Sequence, residues 1–118
     1  MGSPIRISSK LKVRSEDLPE VEGILRTFIE DARAKDPGMT DLAYYVDEQQ
    51  GVIHCHEGYA DFQAFQQHLG NMDQQAVGRL MELVELSPFD YDGEATPEAR
   101  ETMAAFGQVN FHRPLVSL

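Results

Sequence analysis

Tryptophan is absent from this 118-residue chain, and cysteine occurs once, at Cys55. One thiol cannot close an intramolecular disulfide, so the fold must hold without covalent cross-links. A lone cysteine also fits a reducing compartment, and the predicted location is the cytoplasm. Positive charge is scarce as well: 10 Lys and Arg against 20 Asp and Glu leave a net charge of -10. Phosphate backbones and anionic membrane surfaces both demand cationic partners, so neither nucleic acid nor membrane is an expected partner. No apolar run approaches the ~20 residues of a membrane span. The N-terminal stretch MGSPIRIS has no apolar core of a secretory signal, and Arg6 stands where a myristoylation motif wants Ser or Thr. Glycines form neither G-x-G-x-x-G nor a P-loop, and no G-x-S-x-G occurs. A nucleotide cofactor and a serine nucleophile of that type are thereby unsupported, and no cofactor is expected.

What is present is the balance of an ordinary globular domain, 42% hydrophobic and 25% charged. Ile5, Ile7, Ser9, Leu11 and Val13 alternate with Arg6, Ser8, Lys10, Lys12 and Arg14, a strand with one buried face. Ser15 is the expected N-cap of a helix whose stripe is Leu18, Val21, Leu25, Phe28, Ile29 and Ala32, stopped by Asp36-Pro37-Gly38. A second strand is expected around Leu42–Asp47, a turn at 48–51, and a third strand over Val52–Tyr59, antiparallel to the second because the link is short. Asp61 should cap a helix with Phe62, Phe65 and Leu69 on its core side. A further helix should carry Ala76, Val77, Leu80, Met81 and Val84. Phe89 and Tyr91 suggest a short edge strand, and Thr96-Pro97-Glu98 starts a last helix with Ala99, Met103 and Phe106 inward. Val109–His112 is a final extended piece. No repeat or long linker interrupts the chain, so residues 1–118 are expected to form a single domain.

The resulting order, β-α-β-β-α-α-β-α-β, predicts an α+β fold: a ferredoxin-like antiparallel sheet with helices on one face. Strands two and three carry large side chains on both faces, Leu42 and Tyr44 against Tyr45, and Ile53, Cys55 and Tyr59 against Val52. A sheet with one wet face should not do this. The face without helices is therefore expected to meet a second copy, giving a homodimer.

The chemistry-bearing residues gather in Gly51–Gly70, which holds three of the four histidines. His54 and His56 sit two apart on a strand and share a face, where they could supply two metal ligands or simply pack at an interface. A third ligand would have to come from His68, His112 or Glu57, and Glu57 points the other way; no metal is the expectation. His68 could be a general acid/base at a pocket wall or a cation at a helix C-terminus, and spacing alone favours the second. Cys55 lacks any nucleophile signature and reads as buried structure. Tyr44, Tyr45, Tyr59, Phe62 and Phe65 read as core that could also line an apolar pocket.

The run His56-Glu57-Gly58-Tyr59-Ala60-Asp61, followed by Ala64-Phe65 and His68, resembles the signature of the antibiotic biosynthesis monooxygenase-like proteins. In that family a strand ends in Glu-x-Trp, a polar turn follows, and a helix carries Ala-Leu and then His. Glu57 matches the Glu, Tyr59 replaces the Trp, Ala64-Phe65 stands for Ala-Leu, and His68 keeps its spacing. The resemblance covers roughly residues 5–92. It implies a dimeric α/β barrel of two ferredoxin-like protomers and a cofactor-independent oxygenase acting on a small hydroxylated aromatic or quinol. On that basis His68 would be the base or polar anchor, Tyr59 a pocket aromatic, and Glu57 an orienting acid. Tyr44, Phe62 and Phe65 would line the substrate pocket. The haem-degrading branch uses an Asn on its first strand, where this chain has Ser8 and Ser9, so haem chemistry is disfavoured. Some proteins of this kind have no shown activity, and a non-catalytic dimeric ligand-binding or stress-response module is the alternative.

Overall fold

A computed structural model describes residues 2–118. The first strand, β1 (Ile5–Val13), buries Ile5, Ile7, Ser9, Leu11 and Val13 and exposes the intervening basic residues. Period-two alternation thus decides which face meets the helices. A short 3-10 turn over Ser15–Asp17 leads into α1 (Leu18–Lys35). Ser15 is therefore not the helix N-cap. The cap position belongs to Asp17, whose carboxylate makes no capping bond and instead accepts from Arg14 Nε at 3.1 Å. Pro19 in the first turn supplies a preset helical φ where no backbone donor is needed.

Next come β2 (Met39–Asp47) and β3 (Val52–Tyr59), paired antiparallel with a bulge between Met39 and Asp41. Their tight link rests on Gly51, whose φ of 67° suits glycine, and on Asp47, whose side chain accepts from Gln50 N. Helix α2 (Phe62–Asn71) is capped by Asp61 through Ala64 N, and α3 (Gln74–Leu83) by Asp73. Val84 lies beyond α3, in β4 (Val84–Leu86), a three-residue strand paired to β1. Strand β5 (Phe89–Asp92) follows, then α4 (Pro97–Ala104), capped by Thr96, and β6 (Val109–His112).

The sheet order is β2-β3-β1-β5-β6, with β4 beside β1. Two expectations are corrected here. Phe89–Asp92 is not an edge strand, since β1 lies on one side and β6 on the other. The sheet is also not wholly antiparallel, because the α4 crossover makes β6 run parallel to β5. The four-residue apolar alternation of β5 could not reveal its neighbours. The α+β class itself stands, with helices packed on one face of the sheet.

That face carries two core clusters. Ile5, Ile7, Tyr59 and Tyr91 pack with Ala64 and Phe65 of α2 and with Ala99 and Met103 of α4. Leu11, Val13, Ile53 and Cys55 pack with Val21, Leu25 and Phe28 of α1 and with Leu80 of α3. Each fully buried aliphatic or aromatic side chain is worth about 1.5–3 kcal/mol. The opposite face is polar along β1 and β5, where Arg6 pairs with Asp41 at 3.8 Å and Asp92 with His112 at 2.8 Å. On β2 it presents Tyr45, 62% exposed, edge-on to His56. Among the described residues, no helix is long and apolar enough to cross a membrane.

Candidate active site

An apolar cavity of about 200 Å³ lies between the sheet and the helices, at the seam of the two core clusters. Its walls come from β1 (Ile7, Leu11), α1 (Leu25, Phe28), α2 (Phe65, Leu69), α3 (Leu80) and α4 (Met103). A few polar side chains converge among these: Ser9, Tyr44, Cys55, Glu57 and His68. A mostly apolar pocket with a small set of polar groups is the usual form of a ligand site.

Strand alternation explains the floor. Cys55, Glu57 and Tyr59 share the inward phase of β3, while His54 and His56 point to the other side. The Tyr59 hydroxyl donates to Glu57 Oε1. Tyr59 itself is fully buried in the core and is not part of the cavity wall. Its ring stands edge-on to Phe65, at 5.3 Å between centroids, and 5.8 Å from the imidazole of His68. It therefore holds the acid and backs the histidine. Phe62 packs against the first cluster, also off the cavity, whereas Tyr44 and Phe65 line it.

The most informative contact is one the sequence did not announce. His68 Nδ1 lies 2.8 Å from Oδ2 of Asp36, and both side chains are buried, 6% exposed as residues. Asp36 Oδ1 accepts from Asn71 Nδ2 at 2.7 Å. A carboxylate at Nδ1 places a ring proton there, so in the neutral ring it is Nε2 that carries the lone pair. His68 is thus a buried, oriented ring at the cavity wall, and not a solvated side chain at a helix end. Asp36 had read only as part of a helix stop. Its 32-residue separation from His68 gave no signal beyond an Asp placed before Pro-Gly.

Small residues bring the two elements together. Ala60 N donates to Gly38 O at 2.8 Å, and a Cβ at Gly38 would fall 2.6 Å from the Cβ of Ala64. The loop after Asp36 can therefore lie directly against the first turn of α2, one turn before His68.

Burial shapes the acidities. The Glu57 carboxyl is held above the ordinary carboxylate range by desolvation, against the opposing pull of the Tyr59 hydrogen bond and of nearby His68. Burial also raises the phenols of Tyr59 and Tyr44, with Glu57 adding to both. The Cys55 thiol is pushed up to about 12, mainly by burial, so it is a neutral wall group and not a thiolate.

On the opposite face His54 and His56 border a shallow depression with Lys10, Asp90 and Asn110. Among the described residues, no group of three or more His, Cys, Asp and Glu side chains is placed to hold a metal ion.

This architecture is that of the antibiotic biosynthesis monooxygenase-like proteins, as the Glu57-to-His68 motif implied. The chain is similar over 99% of its length to MupZ from Pseudomonas fluorescens, of which it covers 94%, with a TM-score of 0.82 at 18% identity. A candidate antibiotic biosynthesis monooxygenase from Caulobacter crescentus matches 76% of the chain over 88% of its own, with a TM-score of 0.68 at 21% identity. SnoaB, a cofactor-independent oxygenase from Streptomyces nogalater, matches 76% of the chain over 91% of its own, with a TM-score of 0.64 at 13% identity. At these identities the likeness is one of fold. No protein-family model matches the sequence, and no curated protein does.

Proposed function

We propose that this protein is a cofactor-independent monooxygenase acting on a small hydroxylated aromatic or quinol held in the cavity between sheet and helices. One observation carries this reading: an imidazole fixed by a buried carboxylate opens on an apolar cavity of about 200 Å³. An apolar cavity of roughly 150 Å³ accommodates benzene, so this one suits one or two fused rings. His68 Nε2 takes the phenolic or activated C–H proton, and the electron-rich anion then reacts with dioxygen directly. General-base catalysis of this kind contributes about 10²–10⁴-fold. Asp36 orients the base and balances the imidazolium, while Glu57 and Tyr44 hold substrate oxygens. The similarity of fold to SnoaB supports the assignment.

The unit is proposed to be a cytoplasmic homodimer joined through the sheet face that carries Tyr45, His54 and His56. Tyr45, at 62% exposure, is a large side chain left open on that face in the single chain. Sedimentation as a monomer at micromolar concentration would remove that assignment. The mainly apolar cavity wall also suits a non-catalytic dimeric module that shelters a ligand. Oxygen uptake separates the two. Anthrone-like and quinol substrates should be consumed with dioxygen by the wild type and not by His68→Ala. Absence of turnover, or turnover untouched in that variant, would favour the binding module.

A further inference from the structure

Every polar side chain on the cavity wall is a hydroxyl, a thiol, a carboxyl or an imidazole. No Lys or Arg is among the lining residues. A ligand with a fixed negative charge would find no cationic partner there, so carboxylates and phosphate esters are excluded on desolvation grounds. The same deficit applies to an anion formed within the cavity. Once His68 removes a proton, the only positive charge available is its own imidazolium. Beyond hydrogen bonds from the Ser9 and Tyr44 hydroxyls, a developing oxyanion can be stabilised there by protonating it as it forms. Glu57 is placed for this. Tyr59 holds its Oε1, which leaves Oε2 for the cavity, and Glu57 and His68 line the same space.

We infer that Glu57 and His68 form an acid–base couple that catalyses keto–enol proton transfer in small, neutral cyclic ketones, without dioxygen. The inference rests on the assignment of His68 as base but requires an acid that oxygenation does not. His68 Nε2 takes a proton from the carbon next to the carbonyl, and that C–H electron pair becomes the C=C bond of the enol. The carbonyl oxygen takes the Glu57 carboxyl proton. Glu57 is then a carboxylate and His68 an imidazolium. In the return step Glu57 recovers the enol O–H proton and His68 gives its proton to carbon. Delivery to the same carbon exchanges hydrogen with solvent. Delivery to the far end of a conjugated enol moves the double bond. Charges and atoms balance, and nothing is oxidised. Burial raises the Glu57 carboxyl above its ordinary value, which favours the protonated form it must start from. Paired titratable groups with opposed protonation in one cavity are how such chemistry runs near neutral pH.

The test uses 2-tetralone, a neutral bicyclic ketone with acidic C–H bonds, in deuterated buffer under nitrogen. Proton NMR follows loss of its α-hydrogen signals. Wild type should exchange them at least tenfold faster than buffer, and both His68→Gln and Glu57→Gln should fall to within about twofold of buffer. The Glu57→Gln chain keeps the acceptor for Tyr59, and thermal unfolding will confirm that it folds. No exchange above buffer in wild type, or full exchange in a folded Glu57→Gln, overturns the inference. Oxygen uptake measured separately keeps the two activities apart. Exchange without oxygen consumption leaves the acid–base couple standing and removes the monooxygenase. Oxygen consumption without anaerobic exchange does the reverse.

Discussion

The two faces of β3 meet different surroundings. One face shows His54 and His56, a pair that draws the eye in the sequence and ends beside an open, shallow depression with no ligand set around it. The other shows Cys55, Glu57 and Tyr59, which meet His68 and, through it, Asp36 and Asn71. Chemical potential on a strand depends less on which residue types occur than on whether their phase points to desolvated space. An imidazole on the face away from the helices is open to water or to a partner surface. One in the core must find a partner, and the partner fixes its tautomer.

Substitutions can break this contrast from either side. The largest effect is expected from His68→Ala, which should cut turnover, oxidative or isomerising, by about 10²–10⁴-fold. His54→Ala with His56→Ala should leave turnover in the protomer's cavity within about twofold, as steady-state kinetics will show. Next is Asp36→Ala, which strands the Nδ1 proton of His68 and removes one of the two acceptors of Asn71 Nδ2. Leaving a buried donor unpaired costs about 1–3 kcal/mol, measurable by urea unfolding, and activity should fall with it.

Glu57→Gln gives a smaller effect with a defined sign. The folded carboxyl titrates above its unfolded value, so the native state binds the extra proton. That contribution is complete below the unfolded pKa, near 4.5, and is lost as pH rises through the raised folded value. Glu57→Gln should therefore be more stable than wild type at pH 8, with a melting temperature that changes less between pH 4.5 and 8. An equal pH dependence in both chains would show that the carboxyl is not desolvated. The smallest effect concerns Cys55. With its thiol near 12, alkylation by iodoacetamide at pH 8 should be negligible in the native state and rapid in urea.

How much of this was legible beforehand follows the range of the interactions involved. Strands β1 and β3, the long helix and the caps at Asp61 and Thr96 are written in local pattern and turn chemistry, and they fold as expected. Alternation alone sets Glu57 opposite His54 and His56, and the packing of the helices then makes its phase the inward one. The motif also brought His68 forward, although its spacing favoured an exposed role. What escaped was set by tertiary contacts. Val84 continues the α3 stripe yet pairs with Val13, because β1 offers a free edge there. Ser15 lost the cap to a 3-10 turn. Asp36 became a buried partner only when the loop after α1 met α2. Tyr59 looked like a pocket wall and proved to be the brace behind it.

The close approach of Gly38 to Ala64 gives that last contact an evolutionary reading. The pair behaves as a shared allowance of volume: whatever one position gains, the other must surrender. Drift at either site would first appear as a longer Asp36–His68 hydrogen bond, well before the fold itself gave way. Related chains that keep the histidine are then expected to keep two small residues here, and those that lose the smallness to have abandoned the base. Two small positions away from the cavity would in this way record whether it is still in use.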